Sequence, residues 1–271
     1  LEITLRPEHF FAQNLNFDGF PESHYPEIWM KRYRLWNHID IPERFGTTRQ
    51  NEFLLGQSSL MFNFNKISFG ISNENLWWGP SIRNSIMLSN HAKSFNHLTI
   101  KSKNPINIGI GDIEFNFITG KLLPSKYTPP NTDYEGAGTK LYVQKINQLG
   151  EHDDWRFMQA FILNFKPSFI KNLNIGIIRW VQMYSALIRG EYSWMNGKPN
   201  YFPVFSNLFR KNDMFENYEA QIDQAGGFFL RWLWDDSNAE IYAELHFNDT
   251  RQNIRDFLLD TDHSSASTLG I

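Results

Sequence analysis

The sequence predicts an all-β protein: an antiparallel transmembrane β-barrel, or a large part of one, with long outer loops and an irregular N-terminal segment. Three observations predict it. Apolar residues recur with period two in segment after segment of the 271-residue chain, the pattern of strands with one apolar face. Aromatic residues make up 16% of it, with 24 Phe, 9 Trp and 10 Tyr. Lipid-facing strand positions and interfacial girdles favour such rings. The connections between strands divide into very short and very long ones, as in barrels with short periplasmic turns and long outer loops.

The elements follow in order. Residues 1–56 form an irregular N-terminal, plug-like or edge segment, broken by Pro7, Pro21, Pro26 and Pro42. Within it, Ile28–His38 is expected as a short helix and Glu43–Phe53 as a plug or loop. The barrel region is expected over 57–271. Its first element is a hairpin over 58–72. Leu60, Phe62 and Phe64 alternate with Ser59, Met61 and Asn63, and after Asn65-Lys66 the alternation resumes as Ile67, Phe69 and Ile71. A strand over 112–121 follows, where Ile113, Phe115 and Phe117 oppose Glu114 and Asn116. The long loop 122–155 holds Pro129-Pro130 and Gly136-Ala137-Gly138, and its Lys140–Ile146 portion is expected to add a strand. In 156–166, Phe157, Phe161, Leu163 and Phe165 share one face; in 172–181, Leu173, Ile175 and Ile177 do. The loop 182–226 carries Trp194, Tyr201, Phe202, Phe205 and Phe209. Two strands then close the pattern. In 227–235, Phe228, Leu230, Trp232 and Trp234 align; in 239–247, Ile241, Ala243, Leu245 and Phe247 do. The polar turn Asp235–Asn238 joins them. The face carrying Glu240 and Glu244 is too charged for a core and must meet water or a water-filled lumen. A soluble β-sandwich shows the same alternation, so the pattern alone leaves both architectures open.

Composition excludes several classes. The net charge of -3 offers no basic field for nucleic acid. With no Cys, a disulfide framework, a thiolate zinc site and a cysteine nucleophile are absent. No apolar run reaches about 18 residues, so no transmembrane helix is expected. Residues 1–6 are not a signal peptide and the first residue is Leu1, so the chain is expected to be a processed or trimmed piece.

The stretch Glu74–Phe95 (ENLWWGPSIRNSIMLSNHAKSF) carries the functional signal. An alternating strand ends in Trp77-Trp78, a Gly-Pro break follows, and then come Arg83, Asn84, Ser89 and Asn90. Aromatic faces beside planar polar groups suit sugar rings. Trp77 and Trp78 also fit girdle or core positions. Arg83, Asn84 and Asn90 also fit groups that satisfy an irregular backbone. A second set, Asp223, Arg231, Glu240, Glu244, Asp249, Arg255 and Asp256, interleaves acids and bases and reads as a polar network that stiffens a lumen wall.

Three ordered blocks resemble the capsule assembly protein Wzi family and its relatives in Bacteroidetes. They are Trp77 to Asn90; Asp223-Gln224 with Gly227-Phe228 and Arg231-Trp232; and Ile241–Glu244 running through Asn248-Asp249 and Arg255-Asp256 to Asp262-His263-Ser264 and Leu269-Gly270. The likeness covers 57–271. His91–Ser94 and Ala266–Thr268 depart from the family's usual residues. The resemblance implies an outer-membrane barrel at the cell surface, with more strands than this chain can supply. It implies a non-catalytic, lectin-like role in assembling or retaining capsular or exopolysaccharide. Outer-membrane lipid is an implied partner, and polysaccharide export or gliding machinery another; no cofactor is implied.

Two further readings stay open: a glycan-active β-enzyme and a general porin. Glu240 and Glu244 lie about 13 Å apart along one strand, beyond the spacing of paired glycosidase carboxylates. Either would need a partner from another strand, such as Asp223. His246 and His263 lack metal-ligand spacing, so no metal site is expected.

Overall fold

A computed structural model describes residues 1–16, 48–90, 93–123, 155–185, 201–206, 222–248 and 265–271. The helix expected over Ile28–His38 and the strand expected over Lys140–Ile146 lie outside them.

The strands are β1 (Glu2–Thr4), β2 (Glu8–Ala12), β3 (Gln50–Leu54), β4 (Ser59–Phe64), β5 (Ile67–Ser72), β6 (His97–Ser102), β7 (Ile106–Asn107), β8 (Gly111–Leu122), β9 (Arg156–Pro167), β10 (Leu173–Tyr184), β11 (Ile222–Trp234), β12 (Ala239–Asn248) and β13 (Ser265–Gly270). Among the described residues one short α-helix, α1, spans Pro203–Ser206. The chain divides into two compact units. One comprises Leu1–Arg6, Leu55–Leu122 and Arg156–Ile271; the other comprises Pro7–Leu54 and Leu123–Trp155. In the second unit β2 and β3 pair antiparallel, so Gln50–Leu54 is a strand where a plug or loop was expected.

The first unit is built on an 11-stranded sheet in the order β1-β4-β5-β6-β8-β9-β10-β11-β12-β13, with β7 paired to β8. From β4 onward each long strand pairs with the next, an antiparallel meander in which short turns alternate with long connections. Asn65, Asn172 and Asn238 occupy these turns at φ +52°, +59° and +46°. Asn tolerates the left-handed region because its short side chain bonds locally. Among the described residues no pairing joins β1 to β13.

Register sorts the side chains, since directly paired residues share a face. One row runs Phe62, Phe69, Ile100, Phe117, Phe161 and Arg179. Another runs Leu163, Ile177, Phe228 and Leu245. The face these rows build is apolar, yet Phe64 is 77% exposed and Phe228 54%. An apolar expanse this continuous does not face water in a monomeric soluble protein. It matches the outward band of a membrane barrel.

The other face is polar. Thr99 donates to Asn116 at 2.9 Å, and Asn164 bridges to Glu114 and Asn174 at 3.2 Å each. Its centre is the exception: Ile118, Met158, Ala160, Ile178 and Phe229 form a buried apolar patch with Trp78. Leu76, Met87, Leu88 and Phe95 pack around it, so the segment after β5 folds back over the polar face.

The strands beside the 182–226 connection run further than their apolar pattern. Gln182 and Asp223 pair across β10 and β11, with Gln182 Nε2 donating to Asp223 Oδ2 at 2.5 Å. Polar side chains end an apolar pattern without ending a ladder of backbone hydrogen bonds.

Candidate functional site

The segment Leu76–Asn90 is assembled from backbone and short side chains. Gly79 turns the chain at φ +109°, a region that side-chain-bearing residues rarely adopt. The Trp78 N–H donates to the Leu88 carbonyl at 3.3 Å, and Ser85 Oγ donates to the Trp78 carbonyl at 2.6 Å. Trp77 Nε1 donates to the Ser81 carbonyl at 2.7 Å, closing the corner on itself.

Glu244 of β12 holds this corner to the sheet. The Ser81 N–H donates to its Oε1 at 2.8 Å, and His246 Nε2 lies 3.2 Å from its Oε2. Ser81, Glu244 and His246 are all buried. The carboxylate also sits against Gly79, where a Cβ would fall 2.4 Å from Oε1. Only glycine permits that approach. A carboxylate this buried is tolerated where donors point at it, and both oxygens have one.

The predicted residues separate clearly. Trp78 is buried at 5% exposure and takes the core position. Trp77, Arg83, Asn84 and Asn90, from the same segment, are exposed. Of the charged set, Asp223, Arg231, Glu240 and Glu244 share the polar face but form three separate groups. Arg231 donates Nε and Nη2 hydrogens to Glu240 Oε2 at 3.0 and 2.6 Å. Asp223 pairs with Gln182, and Glu244 serves the corner. Asp249, Arg255 and Asp256 lie outside the described residues.

Sequence reasoning missed Ser81, Gly79 and His246 as a unit. The available signal was the period-two spacing of Glu244 and His246, which puts both on one face of β12 beside a Gly-Pro corner needing an anchor. Among the described residues the carboxylates of Glu244 and Asp223 do not converge. Phe229 opposite Glu244 and Asp223 are six residues apart on β11, about 20 Å by strand rise. Nor do Ser81, Glu244 and His246 form a nucleophilic triad: His246 bonds the carboxylate, which in turn accepts from the Ser81 backbone N–H, and no hydrogen bond links the Ser81 hydroxyl to the imidazole. Among the described residues no cluster of His, Asp and Glu could hold a metal.

An antiparallel sheet with one exposed apolar face, and a polar face occupied by a folded-back segment, is the wall of an outer-membrane β-barrel. The chain belongs to the capsule assembly protein Wzi family, whose model matches residues 24–256. Members of this family are outer-membrane β-barrels with a role in capsule assembly. The match begins inside the N-terminal segment, where the sequence blocks carried little signal, and stops before Asp262-His263-Ser264. No curated protein and no solved structure compared with the chain matches it.

Proposed function

We propose that this chain acts in the outer membrane as a non-catalytic, lectin-like wall element that binds and helps retain capsular or surface polysaccharide. One observation carries the reading. Residues 76–90 are pinned from beneath by Trp78 and Glu244, while Trp77, Arg83, Asn84 and Asn90 of the same segment stay exposed. A ring face beside a guanidinium and two amides suits sugar hydroxyls and carboxylates. Pinning lowers the ordering cost of each contact. Single contacts of this kind are weak, and retention arises from many copies holding one long polymer.

Replacing Arg83, Asn84 and Asn90 together by Ala is expected to release polymer into the medium while the protein still reaches the surface. The measurement is the ratio of cell-bound to shed polysaccharide. Unchanged retention, with the mutant protein detected at the surface, refutes the reading.

A further inference from the structure

On the apolar face a cation, Arg179, stands among large apolar side chains. Arg179 follows Ile175 and Ile177 on β10 with the same orientation, about 7 Å beyond Ile177 by strand rise. Its row is otherwise Phe117, Phe161, Gly226 and Phe247, with no carboxylate. Arg179 Nη2 donates to Gln224 Oε1 at 2.8 Å. Nη1 is buried and has no hydrogen-bond partner among the described residues. Gln159, one row further on, shows the contrast: its Nε2 donates to the Tyr201 carbonyl at 2.7 Å and its Oε1 accepts the Val204 N–H at 3.5 Å.

Directly below Arg179 the same face is hollow. A groove of about 520 Å³ runs between Ile175, Ile177, Phe228, Leu230 and Leu245, over the small side chain of Ala243. Beside Arg179 the wall carries no side chain at one position. Gly226 lies across the β10–β11 pair, and a Cβ there would meet nothing closer than the Ile178 carbonyl at 3.5 Å. The short turns at 168–172 and 235–238 lie at the Leu173 end of β10, and the long connection lies at the Tyr184 end. With short turns periplasmic, Arg179 stands on the outer-leaflet side of the groove.

We propose that this groove and Arg179 together form a binding site for a phosphorylated glycolipid of the outer leaflet. An acyl chain fills the groove over Ala243. A phosphate oxygen accepts a charge-assisted hydrogen bond from the half-buried Arg179 guanidinium, whose Nη1 turns out of its buried position to meet it. Gly226 admits the headgroup past the wall. The site lies on the opposite face of the sheet from the Trp77–Asn90 segment, so it does not rest on the polysaccharide reading.

The test uses the purified full chain in non-ionic detergent, titrated with diphosphorylated lipid A, phosphatidylglycerol or phosphatidylcholine and read by native mass spectrometry. Lipid A is expected to bind in preference to both phospholipids. Arg179→Gln is expected to weaken it at least tenfold. Gly226→Leu, whose Cβ meets only ordinary van der Waals contacts with the Ile178 carbonyl and Arg179 Cγ, is expected to weaken it with folding intact by heat-modifiable gel migration. That second variant keeps the test decisive if Arg179→Gln assembles poorly. Lys66→Gln, in the turn at the opposite rim, is the control and should bind as the native chain does. Equal binding of all three lipids overturns the proposal. So does tighter binding of phosphatidylglycerol, or lipid A binding unaffected by either variant.

Discussion

Glu244 joins two parts of the chain that sequence distance separates by 163 residues, and its neighbours set the cost of changing it. Glu244→Ala strips the acceptor from the buried Ser81 N–H and from His246. Unmet buried donors cost about 1–3 kcal/mol each. Glu244→Gln keeps an oxygen for Ser81, so it is expected to fall between the native chain and the alanine variant in denaturant midpoint. Gly79→Ala brings a Cβ to 2.4 Å from Glu244 Oε1 at φ +109°, and the strain is expected to cost about 1–3 kcal/mol. Much of that clash lies with the carboxylate. Combining Gly79→Ala with Glu244→Ala is therefore expected to cost less than the sum of the two. Additive losses in a double-mutant cycle would show that the carboxylate and the corner are not coupled. Little of this was legible in the sequence beyond the shared face of Glu244 and His246. Glu244 reads as one acid in an alternating strand, and the partner of a side chain pointing across a barrel wall lies wherever the topology brings it. Trp78 illustrates the same limit. Adjacent tryptophans look equivalent as letters, yet the turn at Gly79 buries one and leaves the other exposed.

At the scale of elements, strands with large alternating side chains were legible and poorly patterned ones were not. The 58–72 hairpin, with its two-residue turn at Asn65-Lys66, follows from the alternation and the turn residues alone. β6 carries only Leu98 and Ile100 as large apolar residues, and β13 only Leu269. Their place comes from neighbours already in the sheet, and no local pattern announces that. The three turn asparagines at positive φ, Asn65, Asn172 and Asn238, give a test of the turns. Asn238→Gly is expected to be close to neutral, whereas Asn238→Val should destabilise by about 1–2 kcal/mol. Unfolding midpoints in urea distinguish them, and equal midpoints would mean the 235–238 turn reshapes freely. The Lys171–Asp235 pair at 3.7 Å beside this turn is exposed and is expected to contribute little.

The whole molecule is organised by which face meets which solvent. Phe62, Phe117, Ile175 and Leu230 all fall on the apolar face, as their polar sequence neighbours predict. Arg at any one of them is expected to destabilise by roughly 2–4 kcal/mol near the bilayer midplane and by less near an interface. Phe117 also stacks on Phe205 at 5.7 Å, so Phe117→Arg loses a contact with its own chain as well. Lipid-vesicle refolding free energies measure the series. Tolerance of Arg at all four, or a monodisperse native chain in detergent-free buffer, would remove the basis for a membrane wall. This level of organisation was legible because period-two alternation forces one decision on every strand at once. The filling of the polar face was not, since segment 76–95 contains no alternation and its packing depends on strands far along the chain.

That dependence has a consequence for assembly. The corner at Trp77–Ser81 is made early in the chain, but its anchor is on β12, and the patch that receives Trp78 draws on β8, β9, β10 and β11. Until those strands are laid down, Trp78, Leu88 and Phe95 have nowhere to go. Contacts of such long sequence separation form late and leave apolar groups exposed meanwhile. Closing the corner therefore reports completion of the wall. A protease site placed beside Ile82, which is 67% exposed, would be cut readily in half-built chains and slowly in finished ones.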